Sequence, residues 1–246
     1  MITMYVNGDS HTAQVYGEDG VTATEILAKK YQCNYINDAF PGGSNQRIIR
    51  TTLEKLPTLD PVNTLIVIGW SSFERTEWYY NDHWHQICGD AHYNVDPELK
   101  SLWQQHLDSW WADDNHECWR RQADQHHSIW LFHNLLKQLG YQTLFYQGCR
   151  TFFFDGCPQQ DQNFRLPWND NVWVHDPYVH VTADNDRYIE SFSHYVERKG
   201  FVHTDNRAHY GKVAHECWAD YLDPYVKTKL DLIQQQGYHE SKISKL

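Results

Sequence analysis

Apolar residues along the 246-residue chain gather in short runs bounded by glycine, proline and polar residues; between those runs they recur at helical spacing. Thr64-Leu65-Ile66-Val67-Ile68-Gly69 is the clearest run, with four consecutive apolar residues, mostly β-branched, closed by glycine. A strand buried on both faces has that pattern. Met4-Tyr5-Val6, Cys33–Asn37 and Tyr141–Tyr146 read as further strands. Helices are expected at Thr22–Lys30, Asn45–Leu56, Ala123–Leu139, Asp184–Lys199 and about Gly211–Gln236, with Pro57 and Gly140 as stops and a frayed tail from Gly237 onward. Strands alternating with helical connections of this length predict a parallel sheet, right-handed crossovers and helices on both faces.

Between Trp70 and Asp114 the pattern changes, with many Trp, Tyr and His residues and few aliphatics. This stretch reads as an insertion, helical from Pro97 to Trp111, which follows the third strand and is expected to form a lid on the active-site rim. Trp70, Trp78, Tyr79, Trp84 and Trp103 are its candidate substrate contacts. Residues 148–177 read as irregular. No linker composition interrupts the chain, so residues 1–246 are expected to form a single domain.

The balance of 21 basic against 32 acidic residues, a net of −11 with histidine neutral, argues against a grip on nucleic-acid phosphates. No run of about 18 apolar residues occurs, so no membrane span is expected. The first strand begins almost at Met1 with no basic and apolar leader before it, which points to a cytoplasmic protein. The six cysteines lack CxxC spacing and suit reduced thiols; Cys149 and Cys157 are the one pair close in sequence.

Chemistry enters at the end of the first strand, where Asn7-Gly8-Asp9-Ser10-His11-Thr12 places a serine where a central strand stops. In α/β sheets, sites gather at the carboxyl ends of strands. Ser10, Gly43 and Gly69 each fall at such an end. A serine hydroxyl is a weak nucleophile at neutral pH and needs a histidine to take its proton and a third group to orient that histidine. Late in the chain, Asp205-Asn206-Arg207-Ala208-His209 offers both in front of the last helix. Ser10, His209 and Asp205 are therefore the candidate nucleophile, base and orienting carboxylate.

The Gly8-Asp9-Ser10 block after strand one and the late Asp205/His209 element before the terminal helix resemble the SGNH (GDSL-like) hydrolase superfamily, over most of the chain. The resemblance implies a three-layer α/β/α sandwich of flavodoxin-like type, with a central parallel sheet of about five strands, and an esterase that works through an acyl-serine without a cofactor. It implies that the Ser10 and Gly43 amides hold the oxyanion, although Gly43 also reads simply as a turn residue. Two blocks depart from the family. Its Gly-x-Asn-Asp is replaced by Gly69-Trp70-Ser71-Ser72, leaving Asn45 or Ser71 as the source of the missing side-chain donor; Asn45 reads equally as a helix N-cap. Asp205 precedes His209 by four residues where the family has three, so a backbone carbonyl is the alternative orienting group. His215 reads as a packing or surface histidine. The compact, aromatic-rich style is similar to SGNH-like proteins encoded by bacteriophages.

The expected partner is a small-molecule or glycan ester, with hydrolysis or transfer to an alcohol both open to the same acyl-enzyme. Two other classes compete. The 16 histidines, among them His83/His85 and His126/His127, raise a metallohydrolase, but no His-Glu-x-x-His spacing is present. The 11 tryptophans and 16 tyrosines raise a glycan- or protein-binding module on a degenerate hydrolase scaffold.

Overall fold

The computed structural model describes residues 1–13, 21–87, 97–112, 116–149, 191–204 and 209–243. Four strands, β1 (Thr3–Gly8), β2 (Asn34–Asn37), β3 (Thr64–Trp70) and β6 (Gln142–Gln147), form one parallel sheet in the order β2-β1-β3-β6. About five strands were expected; the described residues supply four. The chain builds outward from β1 to β2 and then returns past β1 to lay down β3 on its other side. Connections therefore leave β1 and β3 toward opposite faces, and the crevice between their carboxyl ends is the topological switch point where ligands bind in sheets of this kind.

Period-two alternation along each strand divides the core. Met4, Val6, Leu65, Val67, Leu144 and Tyr146 face a layer made by α1 (Ala23–Lys30), α5 (Phe192–Arg198) and α6 (Lys212–Ile243), where Leu27, Val196, Trp218 and Leu222 meet them. Tyr5, Ile66, Ile68, Trp70 and Phe145 face α2 (Asn45–Lys55) and α4 (His116–Gln138), against Ile48, Ile129, Phe132 and Leu136. Helix layers on both faces explain why β3 is apolar at every position from Leu65 to Ile68: each of its residues is buried.

The helix starts follow capping chemistry. Thr22 accepts a hydrogen bond from the Glu25 amide at α1, and Ser44 accepts one from the Arg47 amide at α2. The α2 cap is thus Ser44, which leaves Asn45 free of that role. The final helix runs to Ile243, beyond the point where fraying was expected, and carries Pro224 inside it. Among the described residues no helix is long and apolar enough to cross a membrane.

The aromatic insertion contains an element that its composition hid. β4 (Thr76–Tyr80) and β5 (His83–Ile87) form an antiparallel hairpin that closes through Asn81 and Asp82, at φ 47° and 61°. Two successive positive φ angles between paired strands match the favoured type I′ hairpin turn. The hairpin lies along α2: Arg50 makes two hydrogen bonds to the Glu77 carboxylate, both 2.9 Å, and the Ser44 amide donates to Gln86 Oε1 at 3.1 Å. The helical part, α3 (Pro97–Ala112), falls close to its expected bounds.

Candidate functional site

The turn after β1 is built by Asp9. Its carboxylate accepts from the His11 amide at 3.0 Å, and its carbonyl accepts from the Thr12 and Ala13 amides at 3.0 and 2.9 Å. Thr12 then sits against β3 at Gly69, where a Cβ would overlap Thr12 Oγ1 and come within 3.0 Å of the Tyr146 ring. Position 69 of β3 is glycine because the neighbouring turn occupies the space of a side chain. Ser10, 9% exposed, is carried on this turn at the switch point.

The Asp9 side chain is wholly buried and is met from two other loops. Arg75, from the segment after β3, reaches Asp9 Oδ2 with Nη1 at 3.1 Å and donates from the same nitrogen to Ser71 Oγ at 2.9 Å. Cys149, after β6, gives its thiol proton to the same carboxylate oxygen, and burial pushes that thiol well above its ordinary pKa. A buried carboxylate is tolerable only when paired and hydrogen-bonded, and here three strand ends converge to do both.

His209 approaches from the other side. Its carbonyl accepts from the Thr204 amide at 2.7 Å and from Thr204 Oγ1 at 3.2 Å, and its ring lies 5.7 Å, centroid to centroid, from that of His11. His11 is held in turn by Phe192 at 5.3 Å and Tyr210 at 6.0 Å. Burial pushes the His11 pKa down to about 4, against the opposing pull of Asp9, so its ring is neutral at physiological pH. His215 stacks on Phe192 at 4.8 Å as a buried packing group, and burial lowers it to about 4 as well. Tyr210 is anchored by its hydroxyl, which donates to Glu197 at 2.7 Å and meets His203 Nε2 at 2.9 Å. Ser10 and His209 thus share one rim through His11, with no direct Ser10–His209 hydrogen bond among the described residues. Such bonds are often loose before substrate arrives.

The expected oxyanion donors are engaged elsewhere. Phe40-Pro41-Gly42-Gly43 forms a turn closed by the Gly43 amide donating to the Phe40 carbonyl at 2.9 Å, with Gly42 at φ 73°. Proline followed by a glycine of positive φ is the type II arrangement, and it takes the Gly43 N–H out of any role toward substrate. The Asn45 carboxamide is also committed: Oδ1 accepts from the Ser71 amide at 2.8 Å, and Nδ2 donates to the Ser71 carbonyl at 3.1 Å and to Gln125 at 2.6 Å. Asn45 therefore clamps the backbone after β3 and neither caps its helix nor faces the space above Ser10. Ser71 keeps its place on the rim, with its hydroxyl oxygen accepting from Arg75.

The aromatic candidates separate. Trp70 is fully buried, edge-on to Phe132 and Phe145 at 6.1 and 5.2 Å, and Trp103 is 1% exposed; both are core residues and not substrate contacts. Tyr79 and Trp84 lie on the hairpin over Arg50 of α2, and Trp78 packs on His106 at 5.4 Å. Asp205 and Cys157 fall outside the described residues. Sequence reasoning passed over Asp9, His11, Arg75 and Cys149. The Asp9 and His11 flanks of Ser10 were in view, but their partners lie 66 and 140 residues away from Asp9 with no local pattern to mark them. Among the described residues no group of three His, Cys, Asp or Glu stands close enough to hold a metal ion.

A parallel sheet with helices on both faces and a crowded switch point defines an α/β fold of the kind found in lipases. One solved structure of similar fold is that of the lipase Lip_vut3 from a goat rumen metagenome, with a TM-score of 0.52 over 92% of this chain and 97% of that one at 12% identity. The chain belongs to the family described as a family of unknown function (DUF6071), whose model matches residues 9–239. No curated protein matches it.

Proposed function

We propose that the protein is an SGNH-like serine esterase that cleaves a small acyl group from a carbohydrate or other polar alcohol. In this reading Ser10 Oγ attacks the ester carbonyl while His209 takes its proton. The alcohol leaves with that proton, and water, activated by the same histidine, releases the acyl group from Ser10. Asp205 orients His209. The oxyanion is held by the Ser10 amide and by that of Gly42, which makes no backbone hydrogen bond among the described residues, in place of the Gly43 amide that closes the turn. No cofactor enters these steps, and an alcohol acceptor can replace water.

The observation that carries the reading is the packing of His209, from the far end of the chain, against the residue next to Ser10 at the switch point. The fold shared with a lipase supports it. A second reading, a binding module on a hydrolase scaffold, is favoured by the internal engagement of the Gly43 amide and the Asn45 carboxamide. Hydrolysis of p-nitrophenyl acetate by wild type, Ser10→Ala and His209→Ala separates the two. The esterase reading predicts turnover above buffer that both substitutions abolish and that a chelator leaves unchanged. Absence of turnover in the folded wild type favours the binding module, and loss of turnover to the chelator favours a metalloenzyme.

A further inference from the structure

Along the outer face of α2 lies a surface whose side chains take no part in the chemistry at Ser10. Two arginines one helical turn apart each back an exposed aromatic ring: the Arg47 guanidinium lies 4.7 Å from the centroid of Phe40, and that of Arg50 lies 4.5 Å from the centroid of Trp84. Phe40 and Trp84 are each 45% exposed, and Tyr79, 59% exposed, extends the second ring at 5.2 Å. These rings are supported by rigid elements. Arg50 is fixed by Glu77 and Glu54, and the hairpin that carries Trp84 and Tyr79 is tied to the start of α2 through Gln86.

An open cleft of about 430 Å³ adjoins them, lined by Asp38, Arg47, Thr51, Glu54 and Lys55. Glu54 belongs to both features, since it lines the cleft and accepts from Arg50 at 3.1 Å.

The chemistry of this surface selects its ligand. Two cations, Arg47 and Lys55, stand beside two anions, Asp38 and Glu54, so the cleft offers hydrogen-bond donors and acceptors side by side with no net charge. A polyanion would meet two carboxylates and a chain whose overall charge is −11. A protein partner would require the charges to be desolvated at the centre of its interface, where charged residues are depleted. A neutral sugar chain meets every feature. Its hydroxyls pair with the mixed donors and acceptors, and the apolar C–H faces of its rings lie on the negative faces of exposed aromatics. We infer that the Phe40/Trp84/Tyr79 face along α2, with its adjoining cleft, is a binding surface for a neutral polysaccharide chain, which meets the Ser10 rim at the Phe40 turn, where the Phe40 amide donates to the Gly8 carbonyl at 3.0 Å.

The test is native affinity electrophoresis of the full chain in gels containing soluble xylan, galactomannan or hydroxyethyl cellulose, with polygalacturonate as the anionic control. The inference predicts retardation by at least one neutral polymer. Retardation persists in Ser10→Ala and returns to the polymer-free position in Trp84→Ala/Tyr79→Ala, whose circular dichroism and melting temperature show the fold intact. Should the double variant prove unstable, Lys55→Ala, on the half-buried wall of the cleft, serves in its place and weakens retardation. Retardation by polygalacturonate alone, by no polymer, or equally in wild type and the folded variants overturns the inference. Because Ser10→Ala is included, failure here is distinct from failure of the esterase reading.

Discussion

Arg75 Nη1 stands 3.1 Å from Asp9 Oδ2; the carboxylate is wholly buried, while the guanidinium side chain retains 21% of its surface in solvent. The ion pair joins the turn that carries Ser10 to the segment after β3. Removing the arginine leaves a buried carboxylate with the Cys149 thiol and the His11 amide as its remaining donors among the described residues. Arg75→Ala is therefore expected to lower unfolding stability by about 3 kcal/mol, the lower end for breaking a buried pair because the arginine is partly hydrated. Urea unfolding measures it, and Arg75→Lys should recover part of the loss.

Asn45 makes a different prediction from the one its residue type invites. A transition-state donor would lower kcat and leave stability alone. The observed carboxamide instead satisfies both the N–H and the C=O of Ser71 in a buried site. Asn45→Ala should cost about 1–3 kcal/mol of stability by orphaning those groups. A shift in denaturant midpoint at unchanged slope checks it.

Buried histidines give the protein an acid limit. Burial holds His11 and His215 at about 4 and His126 at about 3, each from an ordinary value of 6.5. Below pH 6.5 the unfolded chain takes up protons that the native state refuses, so unfolding binds protons and stability falls as pH drops from about 6.5 toward 4. Above 6.5 both states are neutral at these sites and the contribution is constant. Each histidine adds about 1.4 kcal/mol per pH unit to the slope within that window. Stability measured from pH 7 to 5 should show a shallower decline in a folded His215→Phe variant, which keeps the stack on Phe192 without the titrating ring.

The parts of the fold legible in the sequence were those set by local pattern. The run Leu65–Ile68 has the pattern of a strand covered on both faces, and the first helix was expected to start at Thr22, which caps it; for the second helix the expected cap was Asn45, one residue past the actual cap Ser44. The hairpin was missed because its alternating residues are aromatic, charged and histidine, so period two did not separate apolar from polar. The signal available was Asn81-Asp82, two residues tolerant of positive φ between paired runs. At the site, Ser10 could be placed from the strand that precedes it. The uses of Gly43 and Asn45 could not, because each depends on which backbone group lies opposite: Phe40 in a turn for one, Ser71 at a distant strand end for the other. Trp70 misled for a related reason, since a tryptophan at a strand end points to the rim or to the core according to strand phase, and phase puts it beside Phe145.

Labelling with a fluorophosphonate probe, followed by mass spectrometry of the modified peptide, tests whether Ser10 is a nucleophile activated on this rim. A single covalent adduct on Ser10 is expected in wild type, slowed markedly in His209→Ala and absent in Ser10→Ala. A folded wild-type protein that takes no label, or takes it at another residue with Ser10→Ala labelled equally well, would contradict it.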